Sequence, residues 1–232
     1  MVKTKQYHLA DLLDNYEQII ARCTLIEQVS QAVNFIPNTR IIIKDDILQY
    51  EQEFIQKKSS RLISIDKKYQ LLNEFASNLD SLQSFNFVHG DINSSNVLYD
   101  GKTLNLIDLE PSFRQRKFGK KIVTSAVPLR SLSDIKNKNI SVETDKIGYY
   151  LYGMRFVGKA LQFPNKRELS KQRKQGMEFL PIQEQLFLQL SFKEIFKKLI
   201  KPSKKNWILV KINITSNDDA YLYASTFICN FA

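Results

Sequence analysis

The chain has 232 residues and a formal net charge of +10, with 43% hydrophobic and 25% charged residues. That composition belongs to a folded globular protein of one domain, or one domain with a small appendage, rather than to a disordered chain, and excludes a collagen-like array. Cys23 and Cys229 stand far apart and the histidines are only His8 and His89, so neither a disulfide framework nor a Cys/His zinc cluster can be assembled. No run approaches the ~18 apolar residues of a membrane span, and the opening Met1 to His8 lacks an apolar signal core. A reducing, cytoplasmic setting is the expectation. The positive surplus attracts phosphorylated partners: nucleotides, nucleic acid or anionic lipid heads. It concentrates in Arg114 to Lys121, Lys166 to Lys174 and Lys197 to Lys205. Solvated helix ends and loops are the ordinary explanation of such runs.

In chain order, Leu12, Leu13, Tyr16, Ile19, Ile20, then Leu25, Val29 and Val33 repeat at helical spacing, which predicts a mainly helical Tyr7 to Val33 in one or two pieces. The breaker Ile36-Pro37-Asn38-Thr39 precedes two predicted strands, Arg40 to Lys44 and Ile47 to Ile55, turning at Asp45-Asp46. Leu72, Phe75, Leu79 and Leu82 mark one face of a helix from about Asp66 to Phe85. Next come two apolar runs, Asn96 to Tyr99 and Thr103 to Leu109, around Asp100-Gly101, a strong hairpin signal. Residues 110–144 read as basic and irregular, Asp145 to Leu161 as an aromatic-rich helix, Glu184 to Ile200 as one or two helices, and Trp207 to Ile214 as a strand.

The chemistry concentrates in His89-Gly90-Asp91-Ile92-Asn93-Ser94-Ser95-Asn96 and in Ile107-Asp108-Leu109-Glu110. Asp91 sits in a loop. A hairpin turning at Asp100-Gly101 brings Asn96 and Asp108 to its open end, beside that loop. Two carboxylates and one amide oxygen then converge, a set that suits a hard cation such as Mg²⁺. It leaves one carboxylate to orient a hydroxyl nucleophile. Those are the parts needed for phosphoryl transfer from ATP, with Asp91 serving the attacking hydroxyl and Asn96 and Asp108 holding the metal.

The order H-x-D, four residues, Asn, and an apolar strand ending in Asp resembles the catalytic loop and metal motif of the protein-kinase-like superfamily. Thr144 to Met154 is similar to the central helix of the kinase C-lobe, where Asp145 would be a structural residue, and Ser191 to Phe196 is similar to its closing helix. Arg40 to Ile55 looks like the fourth and fifth N-lobe strands. Gln52, Glu53 and Ile55 then fall at the gatekeeper and hinge, where adenine bonds the backbone. Glu27 falls where the ion-pair glutamate of the N-lobe helix belongs. Lys5 is the better candidate for the ATP lysine, and Lys3, on the same strand face, is the alternate. The resemblance implies an α+β, two-lobed fold: a reduced N-lobe over residues 1–55, a mainly helical C-lobe over 56–201, and an extension over 202–232.

This sequence departs from that pattern in several places. No glycine precedes Gly90, so the Gly-rich phosphate loop is absent and the chain begins at the strand that would carry the ATP lysine. Gly90 stands where kinases regulated through their activation loop have Arg, and Asn93 stands where serine/threonine kinases have Lys. Asp108-Leu109-Glu110 replaces Asp-Phe-Gly, as in choline and aminoglycoside phosphotransferases. His-Gly-Asp-Ile-Asn resembles the kinases of lipopolysaccharide core sugars. The implied activity is an ATP- and Mg²⁺-dependent kinase acting on a hydroxyl of a protein, a sugar or a lipid-linked glycan. The basic Arg114 to Lys121 segment favours an anionic acceptor, and peripheral contact with a membrane fits the same charge. The missing glycine loop motivates the alternative of a pseudokinase that binds nucleotide or a partner without transfer. No nucleic-acid motif accompanies the charge, which argues against a nucleic-acid partner.

Overall fold

A computed structural model describes residues 1–12, 15–109, 141–158, 177–181, 190–200, 207–212 and 224–227. The chain forms two compact units, Met1–Thr124 and Ser125–Ala232, each mixing helix and strand. The α+β class expected from the sequence is what these elements give. The basic segments 114–121 and 166–174 fall outside the described residues, as do the predicted helical positions 159–161 and 184–189.

In the first unit, β1 (Val2–His8), β2 (Thr39–Lys44) and β3 (Ile47–Glu53) form an antiparallel sheet in the order β1-β3-β2. Lys3 pairs with Gln52 and Lys5 with Tyr50 on one side of β3, while Thr39 pairs with Gln52 and Ile41 with Tyr50 on the other. Because side chains alternate across a strand, Lys3, Lys5, Tyr7, Leu48, Tyr50, Gln52, Thr39 and Ile41 share one face. Leu48, Tyr50, Gln52 and Thr39 are buried there. The expected Asp45-Asp46 turn is present, with both residues at positive φ (49° and 60°). That geometry matches a two-residue hairpin to the twist of its strands.

The helical reading of Tyr7 to Val33 needs correction at its start. Tyr7 and His8 belong to β1, Leu9–Asp11 is a single 3-10 turn, and α1 is Tyr16–Ala32. Asn15 sets that beginning through a capping box, accepting from the Gln18 amide while the Gln18 side chain accepts from its own. α1 then covers the outer edge of β2. Glu27 Oε1 accepts the Ile41 N–H at 2.7 Å and Ser30 Oγ accepts that of Thr39 at 3.2 Å. An edge strand left with bare donors is thereby satisfied.

α2 (Ile65–Leu82) starts at Ser64, whose side chain accepts from the Lys67 amide, and buries Leu71, Leu72, Phe75, Ala76, Leu79 and Leu82. Phe75 meets Phe35 edge-on, with ring centroids 6.1 Å apart. The Phe35 carbonyl accepts the Leu106 N–H at 2.8 Å, so the same aromatic contact seats the hairpin. That hairpin pairs β4 (Val97–Tyr99) with β5 (Leu104–Leu106). Its loop spans residues 100–103, wider than a two-residue Asp-Gly turn, because Asp100 Oδ1 accepts the N–H of both Lys102 and Thr103. Those backbone bonds outweigh partial burial and hold the Asp100 carboxyl below its ordinary range.

In the second unit, α3 (Val142–Phe156) is buried from Thr144 to Met154 and packs on α4 (Phe192–Ile200). Tyr149 meets Phe192 edge-on at 5.7 Å. A Cβ on Gly153 would come within 2.6 Å of Leu199 Cδ1, so the glycine sets how closely the helices approach. A further antiparallel sheet joins β6 (Met177–Pro181), β7 (Trp207–Ile212) and β8 (Ala224–Phe227). Of these strands the sequence pattern marks only β7. Among the described residues, no helix is long and apolar enough to cross a membrane.

Candidate active site

The loop from His89 to Asn96 is organised by its first residue. His89 is fully buried. Its Nδ1 accepts the Asp91 N–H at 3.1 Å, and its Nε2–H donates to the Ile107 carbonyl at 2.9 Å. Burial disfavours the imidazolium and pushes the pKa below its ordinary value, which keeps Nδ1 an acceptor. One neutral ring thus ties the loop of Asp91 to the strand end leading into Asp108. Gly90 between them has φ +83°, left-handed backbone that a side chain at this position would resist.

Asp91 is held by two amides. Asn93 Nδ2 donates to Oδ1 at 2.8 Å and Asn96 Nδ2 to Oδ2 at 2.9 Å, and both also reach the Asp91 carbonyl. Asn93 in turn receives the Ser95 amide and hydroxyl on its own oxygen. Asn96 is buried, and its carbonyl accepts the Ile107 N–H at 2.9 Å, one step beyond the Val97–Leu106 pair. The hairpin pairing therefore extends to Asn96 opposite Ile107, and Asp108 follows directly, past the end of β5. With its nitrogen turned to Asp91, the Asn96 amide keeps its oxygen as the acceptor for anything else.

Asp108 adopts φ +58°, unusual for a non-glycine residue. Two side chains of β3 hold it so. Gln52 Oε1 accepts the Asp108 N–H at 3.2 Å and the Tyr50 hydroxyl accepts the Leu109 N–H at 3.3 Å. Gln52 cannot turn around, because its Nε2 donates to Thr39 Oγ1 at 3.1 Å and that hydroxyl donates to the Pro37 carbonyl at 3.0 Å. Burial raises the Tyr50 pKa well above the ordinary phenol range, so the hydroxyl stays neutral.

The Asp108 carboxylate faces the β1 lysines. Lys3 Nζ lies 2.7 Å from Oδ1 and Lys5 Nζ 3.4 Å from Oδ2. Partial burial works against the carboxylate, but the two ammonium groups prevail and hold its pKa below the ordinary value. Burial lowers the Lys5 pKa, with Asp108 opposing. Tyr7, next along the same face, is pushed up to about 12 by burial and by the Asp108 charge.

Asp91, Asn96 and Asp108 thus form one connected array, with Lys3 and Lys5 on its Asp108 side. Glu27, expected as an ion-pair glutamate, stands apart from this array: its carboxylate accepts the Ile41 N–H at the β2 edge, while the described ion pairs of Lys3 and Lys5 go to Asp108. Glu53 is exposed and its N–H donates to the Asn38 carbonyl at 2.9 Å, while Ile55 follows the end of β3. The sequence reading did not foresee the bridging by His89 or the bonds of Tyr50 and Gln52 to the Asp108–Leu109 backbone. A glutamine on the apolar face of a strand was the available signal. Among the described residues, no group of three or more His, Cys, Asp or Glu gathers as a metal site. The oxygens of Asp108 and Asn96 still suit Mg²⁺ that arrives on a polyphosphate, which needs only one or two carboxylates from a protein. Comparison with protein-family models and with curated proteins finds no match for this chain.

Two outcomes follow from these contacts. Gln52→Leu strands the Asp108 amide and removes the bond that Gln52 donates to the Thr39 hydroxyl, and should lower stability by about 1–3 kcal/mol in urea titration. An unchanged midpoint would contradict the assigned bonds. For His89, the folded pKa lies below the unfolded value of about 6.5. The unfolded chain then binds the extra proton, so stability is present above that value and is lost as pH falls beneath it. The stability gap between the parent protein and His89→Gln should narrow from about pH 7.5 to about pH 5.5. A constant gap would mean the ring does not stay neutral on folding.

Proposed function

We propose that the chain is an ATP- and Mg²⁺-dependent phosphotransferase of protein-kinase-like fold, moving the γ-phosphoryl group to a hydroxyl acceptor. The observation that carries this reading is Asn96. Its side chain grips the Asp91 carboxylate while its backbone pairs with Ile107, joining the loop acid to the strand acid. The strand order β1-β3-β2 with α1 on the β2 edge also fits the third, fifth and fourth strands and the helix of a kinase N-lobe.

In this reading Asp91 receives the acceptor hydroxyl. Each of its oxygens holds one amide N–H, which fixes the carboxylate and leaves lone pairs for the reacting proton. Asn96 and Asp108 would hold magnesium, which supplies charge neutralisation across the phosphates. Lys5 or Lys3 takes the phosphate oxygens, and Glu53 and Ile55 carry the backbone that adenine addresses. Glu27 belongs to the helix that would place the lysine strand. The acceptor is a protein hydroxyl or a sugar hydroxyl of a lipid-linked or lipopolysaccharide-like glycan. The cytoplasm is the setting that the cysteine usage favours.

A second reading, a pseudokinase that binds nucleotide or a partner, draws on one feature. Both oxygens of Asp108 are already paired with lysines. Turnover of radiolabelled ATP in magnesium, with and without EDTA, separates the two. Asp108→Ala should abolish metal-dependent turnover and weaken Mg-ATP binding. Asp91→Ala should leave nucleotide affinity nearly intact and slow transfer by about 10²–10⁴-fold. Equal loss of nucleotide binding in both variants would reverse the assigned roles, and absence of turnover in the parent protein would favour the pseudokinase.

A further inference from the structure

Asp108 carries one negative charge and meets two ammonium groups. One would neutralise it, so the second leaves a local surplus of one positive charge. The two lysines are not equivalent. Lys5 is the more enclosed, with its side chain 31% exposed, and makes the longer contact at 3.4 Å. Lys3 is 43% exposed and makes the shorter contact at 2.7 Å. Both stand on the same face of β1, paired with Tyr50 and Gln52, the two residues that fix the Asp108 backbone. The backbone that carries the carboxylate is therefore held from β3, without need of either lysine.

A divalent ion of magnesium size binds carboxylate oxygen at about 2.0–2.1 Å. It cannot share that side of Oδ1 with an ammonium group, because the two cations would stand in contact and repel. We propose that Lys3 is a tethered cation: it occupies the divalent-ion position on Asp108 when no nucleotide is bound, and moves to the phosphate oxygens when a metal–polyphosphate enters. This rests on the phosphotransferase reading for the identity of the incoming ligand. Lys3 is suited to the exchange because it is half exposed and long-stemmed, so that water solvates the ammonium group as it leaves. The arriving divalent metal brings one more positive charge to Asp108 than the departing ammonium takes away, and the polyphosphate that carries the metal supplies the compensating negative charge. It also makes Lys3 act with opposite signs on two ligands: against the bare metal, and for the polyphosphate.

The test measures Mn²⁺ binding without nucleotide, from the electron paramagnetic resonance signal of free Mn²⁺, and ATP binding without metal by calorimetry. Lys3→Met should tighten Mn²⁺ by about three- to tenfold, the range expected when a partly exposed cation is removed beside the site. The same change should weaken metal-free ATP binding. Lys3→Arg should keep the parental values. Adding Asp108→Asn to Lys3→Met should cancel the gain in Mn²⁺ affinity. Unchanged or weaker Mn²⁺ binding in Lys3→Met overturns the proposal, as does the lack of Mn²⁺ binding in every protein. Tighter Mn²⁺ with no ATP turnover in any protein would support the exchange at Asp108 and defeat the phosphotransferase reading. ATP turnover with no effect of Lys3→Met on Mn²⁺ would do the reverse.

Discussion

The site depends on one buried imidazole that must stay neutral. His89 accepts from Asp91 and donates to Ile107, residues that belong to a loop and to a strand end. A protonated ring would have no acceptor for the Asp91 amide and would place a charge where no water reaches it. Burial removes that option, so the ring holds one tautomer and the two segments hold one spacing. Gly90 at positive φ lets the chain turn between the ring and Asp91. Asn96 repeats the link from the other side, with its side chain on Asp91 and its carbonyl on Ile107.

Asp108 is held differently. Its backbone sits in a sparsely populated conformation, which costs free energy that its surroundings must offset. Gln52 and Tyr50 do so from the sheet, through a polar network that runs on to Thr39 and Pro37. The carboxylate then points toward a strand bearing two lysines. Packing and charge are divided cleanly here: the buried network sets position, and the half-exposed ion pairs set the electrostatic field. Such surface-accessible pairs add little stability. In the proposed phosphotransferase they would set which ions and phosphates the site attracts.

Much of this was legible in the sequence because it is local. The Asp45-Asp46 turn, the apolar face of α2 and the hairpin from Asn96 each follow from residues within a few positions of one another. The resemblance placed Lys3 and Lys5 on a strand, as found, but Tyr7 and His8 at its end were misread as helical, because the alternation of Val2 to His8 has charged and polar residues on both faces and lacks the apolar period of a strand. Glu27 was singled out by the resemblance alone, as an ion-pair glutamate. That its carboxylate serves the Ile41 amide depends on β2 being an edge strand, which no local pattern reveals. The contacts of Gln52 and Tyr50 span more than fifty residues of chain, as the pairings 52–108 and 50–109 require. β6 escaped notice because its strand partner is β7, far along the chain.

The central claim is that Asp91, Asn96 and Asp108 address one cation–phosphate position at the open end of the hairpin. The most direct measurement is the broadening of asparagine side-chain amide signals in ¹⁵N NMR when Mn²⁺ and ATP are added. Asn105 is an internal control, because its amide bonds to Asp100 at the opposite, looped end of the same hairpin. The account predicts that Asn96 and Asn93 broaden first, that Asn105 persists, and that Mg²⁺ in place of Mn²⁺ leaves all three sharp. Equal broadening of Asn105 and Asn96, or none at Asn96, would contradict it.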